Sequence, residues 1–162
     1  MKKTVLSVVA LFVFVLFVQA QIIYNFSDGT WGKAIEERPE SGSTYTSGTI
    51  NDVKFVNAMM YQKDGKGQTR VIFDKSSNKS CVEFPTFDAG KKEVIIDGAV
   101  GTEEKTCIVE ENVNGKWKAV GDPIEMTKSK ETYNVKISEK ATQIRIKNAT
   151  SSSLYLWKVT IK

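Results

Sequence analysis

From residue 22 to the last residue, apolar side chains recur at every second position or gather in short β-branched and aromatic runs. They fall in IIYNF (22–26), VKFVNAMMY (53–61), TRVIF (69–73), CVEFPTF (81–87), EVIIDGAV (93–100), TCIVEEN (106–112), KWKAV (116–120), TYNVKI (132–137), TQIRI (142–146) and LYLWKVTI (154–161). No stretch keeps the spacing of a long amphipathic helix, and the sole helical candidate is a turn or two near residues 33–38. Turn formers separate the runs: Asp64-Gly65-Lys66-Gly67, Ser76-Ser77-Asn78, Asp88-Ala89-Gly90, Asn114-Gly115, Gly121-Asp122-Pro123 and residues 148–153. About ten short strands at this spacing predict an all-β fold, an antiparallel β-sandwich of the jelly-roll type, rather than a parallel α/β sheet.

Several positions sharpen that expectation. Asn114-Gly115 is the pair that best tolerates the two positive φ angles of a type I′ turn, so it should join 106–113 to 116–120 as a hairpin. Trp117 stands between Lys116 and Lys118, and alternation assigns it to the core. Pro85 has no N–H for a ladder, which places the 81–87 strand at an edge or gives it a bulge. In the last strand, steps of two put Tyr155, Trp157, Val159 and Ile161 on one face, expected to fill the space between sheets. Leu154 and Leu156 would then form a small apolar patch outside. The strand is expected to pair inside a sheet, beside 142–146 and near 22–26. Residues 27–51 form a long segment rich in Gly, Ser and Thr, a length that marks functional or disordered loops.

Residues 1–20, MKKTVLSVVALFVFVLFVQA, break the pattern with a basic pair, an uncharged apolar run and a small residue at Ala20. This is the layout of a secretory signal cut before Gln21. The alternative, an anchor helix, needs about 20 apolar residues, and Gln19 and Gln21 end this run early. Residues 21–162 are then one β-sandwich domain, exported to a periplasmic or extracellular space, with no membrane association after cleavage. Loss of Lys2 and Lys3 lowers the formal net charge from +4 to +2, and the remaining basic residues are interleaved with acidic ones. No nucleic acid or other polyanion footprint stands out. Export allows a bridge between the only cysteines, Cys81 and Cys107. Face counting opposes it: Cys81 shares a side with Glu83, against Val82 and Phe84, whereas Cys107 goes with Val109.

The chain has no histidine, which removes Ser-His and Cys-His nucleophile pairs, imidazole acid–base catalysis and histidine-based metal sites. Glu36, Glu37 and Glu40 are the densest carboxylates that could flank a glycosidic bond, but a solvated polar segment accounts for them. Ser76 to Lys79 matches Ser-x-x-Lys in a turn rather than at a helix start, so chance accounts for it. Asp28, Asp52 and Asp122 are loop carboxylates suited to a structural calcium, without a ligand-spaced run. Asn25, Asn78 and Asn148 begin Asn-x-Ser/Thr triplets, frequent by chance in a Ser/Thr-rich chain. No catalytic residue, metal ligand or cofactor is assigned. Aromatic rings in polar loops are the better signal, since an exposed ring offers an apolar platform to the C–H face of a sugar. Trp31 in NFSDGTWG leads, followed by Tyr45 in GSTYTSG and Tyr61 at a strand end. The competing reading of Trp31 is a plug at one end of the sandwich.

The segments CVEFPTFDAGKKEVIIDG, VEENVNGKWKAVG and TQIRIKNATSSSLYLWKVTIK together resemble the small jelly-roll domains of exported Bacteroidetes polysaccharide-processing proteins, often found beside pectate-lyase-like catalytic domains. The resemblance covers about residues 50–162 and carries no invariant catalytic or binding motif. It implies a non-catalytic, carbohydrate-binding-module-like role, with a polysaccharide or oligosaccharide as ligand and a separate enzyme or envelope protein as a further partner. The rival class is a protein-interaction or structural envelope domain with no sugar ligand.

Overall fold

Alternating burial along the chain divides it into two antiparallel sheets. The structure, a computed structural model, describes residues 20–32, 34, 45, 47–63, 67–75, 79–102, 105–149 and 152–162. Among them are thirteen strands, more than the sequence pattern predicts: β1 (Ile22–Asn25), β2 (Gly48–Ile50), β3 (Val53–Val56), β4 (Ala58–Tyr61), β5 (Arg70–Phe73), β6 (Cys81–Glu83), β7 (Glu93–Val100), β8 (Lys105–Val113), β9 (Lys116–Ala119), β10 (Ile124–Met126), β11 (Glu131–Lys136), β12 (Gln143–Asn148) and β13 (Leu154–Ile161). Sheet A runs β11-β7-β13-β5-β4, with β1 also on β13; sheet B runs β10-β8-β12-β6-β3-β2, with β9 also on β8. The fold is an all-β sandwich of the jelly-roll type. The signal-like segment up to residue 19 and the helical turn at 33–38 lie outside the described residues. Among the described residues, no helix is long and apolar enough to cross a membrane.

Local chemistry sets the turns and the sheet changes. Asn114 and Gly115 take φ of 53° and 78°, closing the β8–β9 hairpin in the register Val113 to Lys116, as expected for a type I′ turn. Asn51 and Asp52, at φ 48° and 64°, do the same between β2 and β3. The run 53–61 is two strands rather than one. Asn57, at φ 47°, turns the chain so that β3 joins sheet B and β4 joins sheet A. Such corners let one chain supply both layers. Pro85 neither marks an edge nor lies within a strand: β6 sits inside sheet B between β12 and β3 and ends before it. Beyond the proline the segment still follows β12, through Phe84 N–H to Ile144 O at 3.0 Å and Phe87 N–H to Thr142 O at 2.8 Å.

The inter-sheet space holds Phe26, Trp31, Phe55, Phe84 and the inward positions of β5, β7, β12 and β13. The ring of Phe26 lies 4.7 Å from that of Trp31 and 6.5 Å from that of Phe84, in tilted arrangements that favour aromatic edges over stacked faces. On β12, Ile144 and Ile146 point inward while Gln143, Arg145 and Lys147 point outward, the alternation expected of a half-buried strand.

β13 corrects the expected pairing and the expected faces. It lies between β7 on one side and β5 and β1 on the other, not beside β12, which belongs to the other sheet. Its pairing with β1 is as anticipated. A register shift between Leu156 and Lys158 marks a bulge at Trp157, because Leu156 pairs with Gly98 and Lys158 with the adjacent Asp97. Leu154 and Leu156 are therefore fully buried in the core together with Val159 and Ile161, and no apolar patch of leucines lies outside. Tyr155 and Trp157 are absent from that core. Trp117 is a second correction: it pairs with Asn112, half-buried on the outer side of sheet B, with the Arg145 guanidinium 4.4 Å from its ring centre.

Cys81 and Cys107 are both free thiols and both buried. They lie on the two neighbours of β12, Cys81 opposite Lys147 and Cys107 opposite Asn148, so about 9–10 Å separates their strands. A disulfide needs Cα atoms within about 7 Å. Their faces differ as well, since Cys107 joins the core with Val109 whereas Cys81 stands opposite Val82. Burial pushes the Cys107 thiol up to about 12, and burial is also the main cause of the raised Cys81 value. A thiol held neutral in the folded state but ionising near 9 when unfolded stabilises the fold below that pH and loses its contribution as pH climbs towards 12. Stability of the chain from Gln21 onward is expected to fall across that window, and Cys107→Val to flatten the fall. A thiol reagent at neutral pH should label neither residue until denaturant is added; rapid native labelling of Cys107 would contradict its burial.

Candidate functional site

The bulge in β13 determines what the outer face of sheet A displays. Because Leu154 and Leu156 turn inward, Tyr155 faces out, opposite Ile72 on β5 and Ala99 on β7. The extra residue, Trp157, leans over the same face, with 9% of its surface exposed. At the neighbouring hairpin, Tyr61 of β4 and Arg70 of β5 are register partners, so their side chains emerge side by side. Together with Lys63, Lys128 and Lys130 these residues line a concavity of about 510 Å³, whose floor is Ala99, Val100 and Gly101 of β7 and the turn after it.

Arg70 is the centre of this arrangement. Its guanidinium carbon lies 5.0 Å from the ring centre of Tyr61, 4.8 Å from that of Tyr155 and 5.2 Å from that of Trp157. Each such contact contributes about 0.5–2 kcal/mol, the upper end applying where water is excluded. Three rings around one planar cation hold it in a single orientation. Arg70 has no carboxylate partner among the described residues, and its Nε is buried without an acceptor there. Lys130 adds a second cation, with Nζ 5.5 Å from the Trp157 ring centre and donating to Gln68 Oε1 at 3.2 Å. Asp97 and Glu131, two carboxylates of sheet A, are engaged elsewhere. Asp97 accepts from Thr132 Oγ1 at 2.8 Å and faces Lys158 Nζ at 3.8 Å; Glu131 accepts from Thr127 Oγ1 at 2.9 Å.

Of the aromatic residues singled out in the sequence, Tyr61 lines this concavity, although it is itself buried, 5% exposed, beneath Arg70. Tyr45 lies behind the concavity, buried in a small cluster with Tyr61 and Ile72, against which Met59 and Tyr155 pack. Trp31 lies elsewhere. Only 5% exposed, it packs in the core against Phe26 and Phe55 and donates its indole N–H to Asn25 O at 2.8 Å. An indole so enclosed presents no face to a sugar. Asp28 accepts from the hydroxyl and N–H of Thr30, at 2.7 and 3.0 Å, and these bonds hold its carboxyl below the usual range. Among the described residues no three His, Cys, Asp or Glu side chains gather where a metal ion could sit. Asn148 is buried, its amide donating to Asp74 O and Ser152 O. Glu36, Glu37, Glu40, Ser76 and Asn78 lie outside the described residues.

Two other surfaces are weaker candidates. On the outer side of sheet B, Arg145 covers Trp117 but is paired with Glu110, which also takes Lys147 at 3.2 Å. Its charge is neutralised within the protein. A concavity of about 540 Å³ lies among Ile22, Thr86, Phe87 and Asp88, where Lys91 Nζ donates to Ala20 O. One wall of it is Ala20, the last residue of the leader-like segment.

No protein-family model matches the sequence, and no curated protein matches it significantly. The fold does match solved structures. A cleaved adhesin domain of Lys-gingipain aligns over 88% of this chain and 98% of its own, with a TM-score of 0.60 and 9% identity. A variant of a family 29 carbohydrate binding module aligns over 88% of this chain and 91% of its own, with a TM-score of 0.53 and 9% identity. A family 29 carbohydrate binding module from Piromyces equi covers 73% of this chain and 87% of its own, at a TM-score of 0.51 and 12% identity. At such identities the likeness is one of fold.

Proposed function

We propose that this protein is an exported, non-catalytic, carbohydrate-binding-like module that holds a polysaccharide or oligosaccharide on the outer face of sheet A. The observation that carries the reading is the concavity of about 510 Å³ built from Tyr61, Arg70, Tyr155 and Trp157, with rigid strands beneath three of its aromatic rings. A site on strands rather than on loops keeps its geometry without a ligand, which lowers the entropic cost of binding. Apolar ring surface beside donor-rich side chains is what a sugar's C–H groups and hydroxyls require. The architecture shared with carbohydrate binding modules supports the same reading, as does the leader-like start of the chain. Chemistry points away from catalysis, because the chain offers no histidine and the groove, among the described residues, no carboxylate pair.

The likeness to an adhesin domain favours one rival, a module that grips another envelope or secreted protein instead of a sugar. Affinity electrophoresis of the chain from Gln21 onward, through gels carrying plant, host and bacterial glycans, separates the two. Retardation on at least one glycan, reduced about tenfold or more in Trp157→Ala, is the expected result. Free migration in every gel, together with a stable protein complex recovered from the producing cell's envelope, would favour the rival.

A further inference from the structure

The charges that line the groove narrow the class of sugar it can hold. Its three aromatic rings are already engaged with a cation, since the Arg70 guanidinium lies within 5.2 Å of each ring centre. Those ring faces are not free platforms for a neutral pyranose. Their effect is to fix a planar fork of N–H donors, the shape that matches the two oxygens of a carboxylate or sulfate. Four cations line the concavity, Lys63, Arg70, Lys128 and Lys130, and no carboxylate does among the described residues. Arg70 also keeps a buried Nε with no acceptor among the described residues, so no internal partner draws the guanidinium away from the groove.

On the other face Arg145 also lies on an indole, but there the Glu110 carboxylate is its partner within the protein. Residues 21–162 carry 21 basic against 19 acidic side chains, whereas every charged side chain that lines this groove among the described residues is a cation. Resting on the glycan-binding reading, we infer that the groove recognises an acidic glycan, with Arg70 receiving the carboxylate of a hexuronate or the sulfate of a sulfated sugar and Lys63 and Lys130 holding neighbouring charges along the chain.

Calorimetry on the chain from Gln21 onward tests this with two matched pairs of probes: hexagalacturonate against its fully methyl-esterified form, and dextran sulfate against dextran. Expected is binding to the charged member of at least one pair, about tenfold or more weaker for its neutral partner, with affinity falling as salt rises. Preference within the first pair assigns the carboxylate, and within the second the sulfate. Arg70→Gln should remove most of the preference. Should that variant unfold, the double variant Lys63→Ala with Lys130→Ala, at exposed side chains, should still weaken charged-probe binding. Neutral members binding as tightly as charged ones would overturn the inference while leaving the glycan module intact. Charged-probe binding unaffected by either variant would also overturn it. Binding to none of the four probes, with no retardation on any glycan gel, would sink both readings together.

Discussion

Trp31→Ala is expected to lower the unfolding free energy by about 3–5 kcal/mol, a fall in Tm on the order of 10 °C. The indole fills space between Tyr24, Phe26 and Phe55, with ring centres 6.4, 4.7 and 6.5 Å away. Truncation leaves a void that the two sheets cannot close without moving apart, and it removes the donor to Asn25 O. Trp31→Phe should recover much of the stability and leave glycan affinity unchanged. Chemical denaturation of both variants gives the check. A cost below about 1 kcal/mol for the alanine variant would place this ring at the surface.

Leu156→Ala carries the second large effect, about 2–5 kcal/mol. Simple alternation along LYLWKVTI puts Leu156 outside, where the same truncation would cost within about 0.5 kcal/mol. In the structure it is fully buried between the sheets, in register with Gly98. A side chain at residue 98 would meet Met126 Cε at 2.5 Å and Tyr155 O at 3.1 Å, so the absence of one lets β10 and β13 close over β7 there. Denaturant unfolding of Leu156→Ala therefore distinguishes the two parities of the last strand. A near-neutral result would restore the unbulged strand and return Tyr155 and Trp157 to the core.

These two residues also show how far the sequence could be read. Alternation and turn chemistry identify the fold class, the Asn114-Gly115 hairpin and the opposite faces of the two cysteines, because each depends on neighbours within a few positions. What escapes such reading is anything set by partners distant in the chain. The bulge in β13 is of that kind: alternation there groups Leu154 and Leu156 with Lys158 and Lys162, a mixed face that itself hints at a break in parity. Trp117 misleads for a related reason. Among the described residues its strand pairs only with β8, at the margin of sheet B, and its indole covers the outer side under Arg145 instead of the interior.

The site was legible only in part. Tyr61 carries a local signal, an aromatic at a strand end beside a polar turn, and it lines the groove. Arg70 does not, because an arginine in TRVIF looks like any solvated strand residue until β4 and β13 bring Tyr61, Tyr155 and Trp157 around it. Trp31 carries a signal that points the wrong way: Gly and Asp neighbours suggest a loop, yet the loop folds its indole back onto Phe26. A polar context describes the backbone around a residue and says little about where its ring ends.

The chain has three tryptophans, one in the core, one on each outer face, so a nitrogen–proton correlation spectrum gives one indole signal for each location. Titrating the chain from Gln21 onward with hexagalacturonate, or with dextran sulfate, measures directly which of them meets the ligand. A saturable shift of the Trp157 indole is expected, with those of Trp31 and Trp117 staying in place. Movement of Trp31 or Trp117 with Trp157 unchanged would put the ligand on another surface and overturn this assignment.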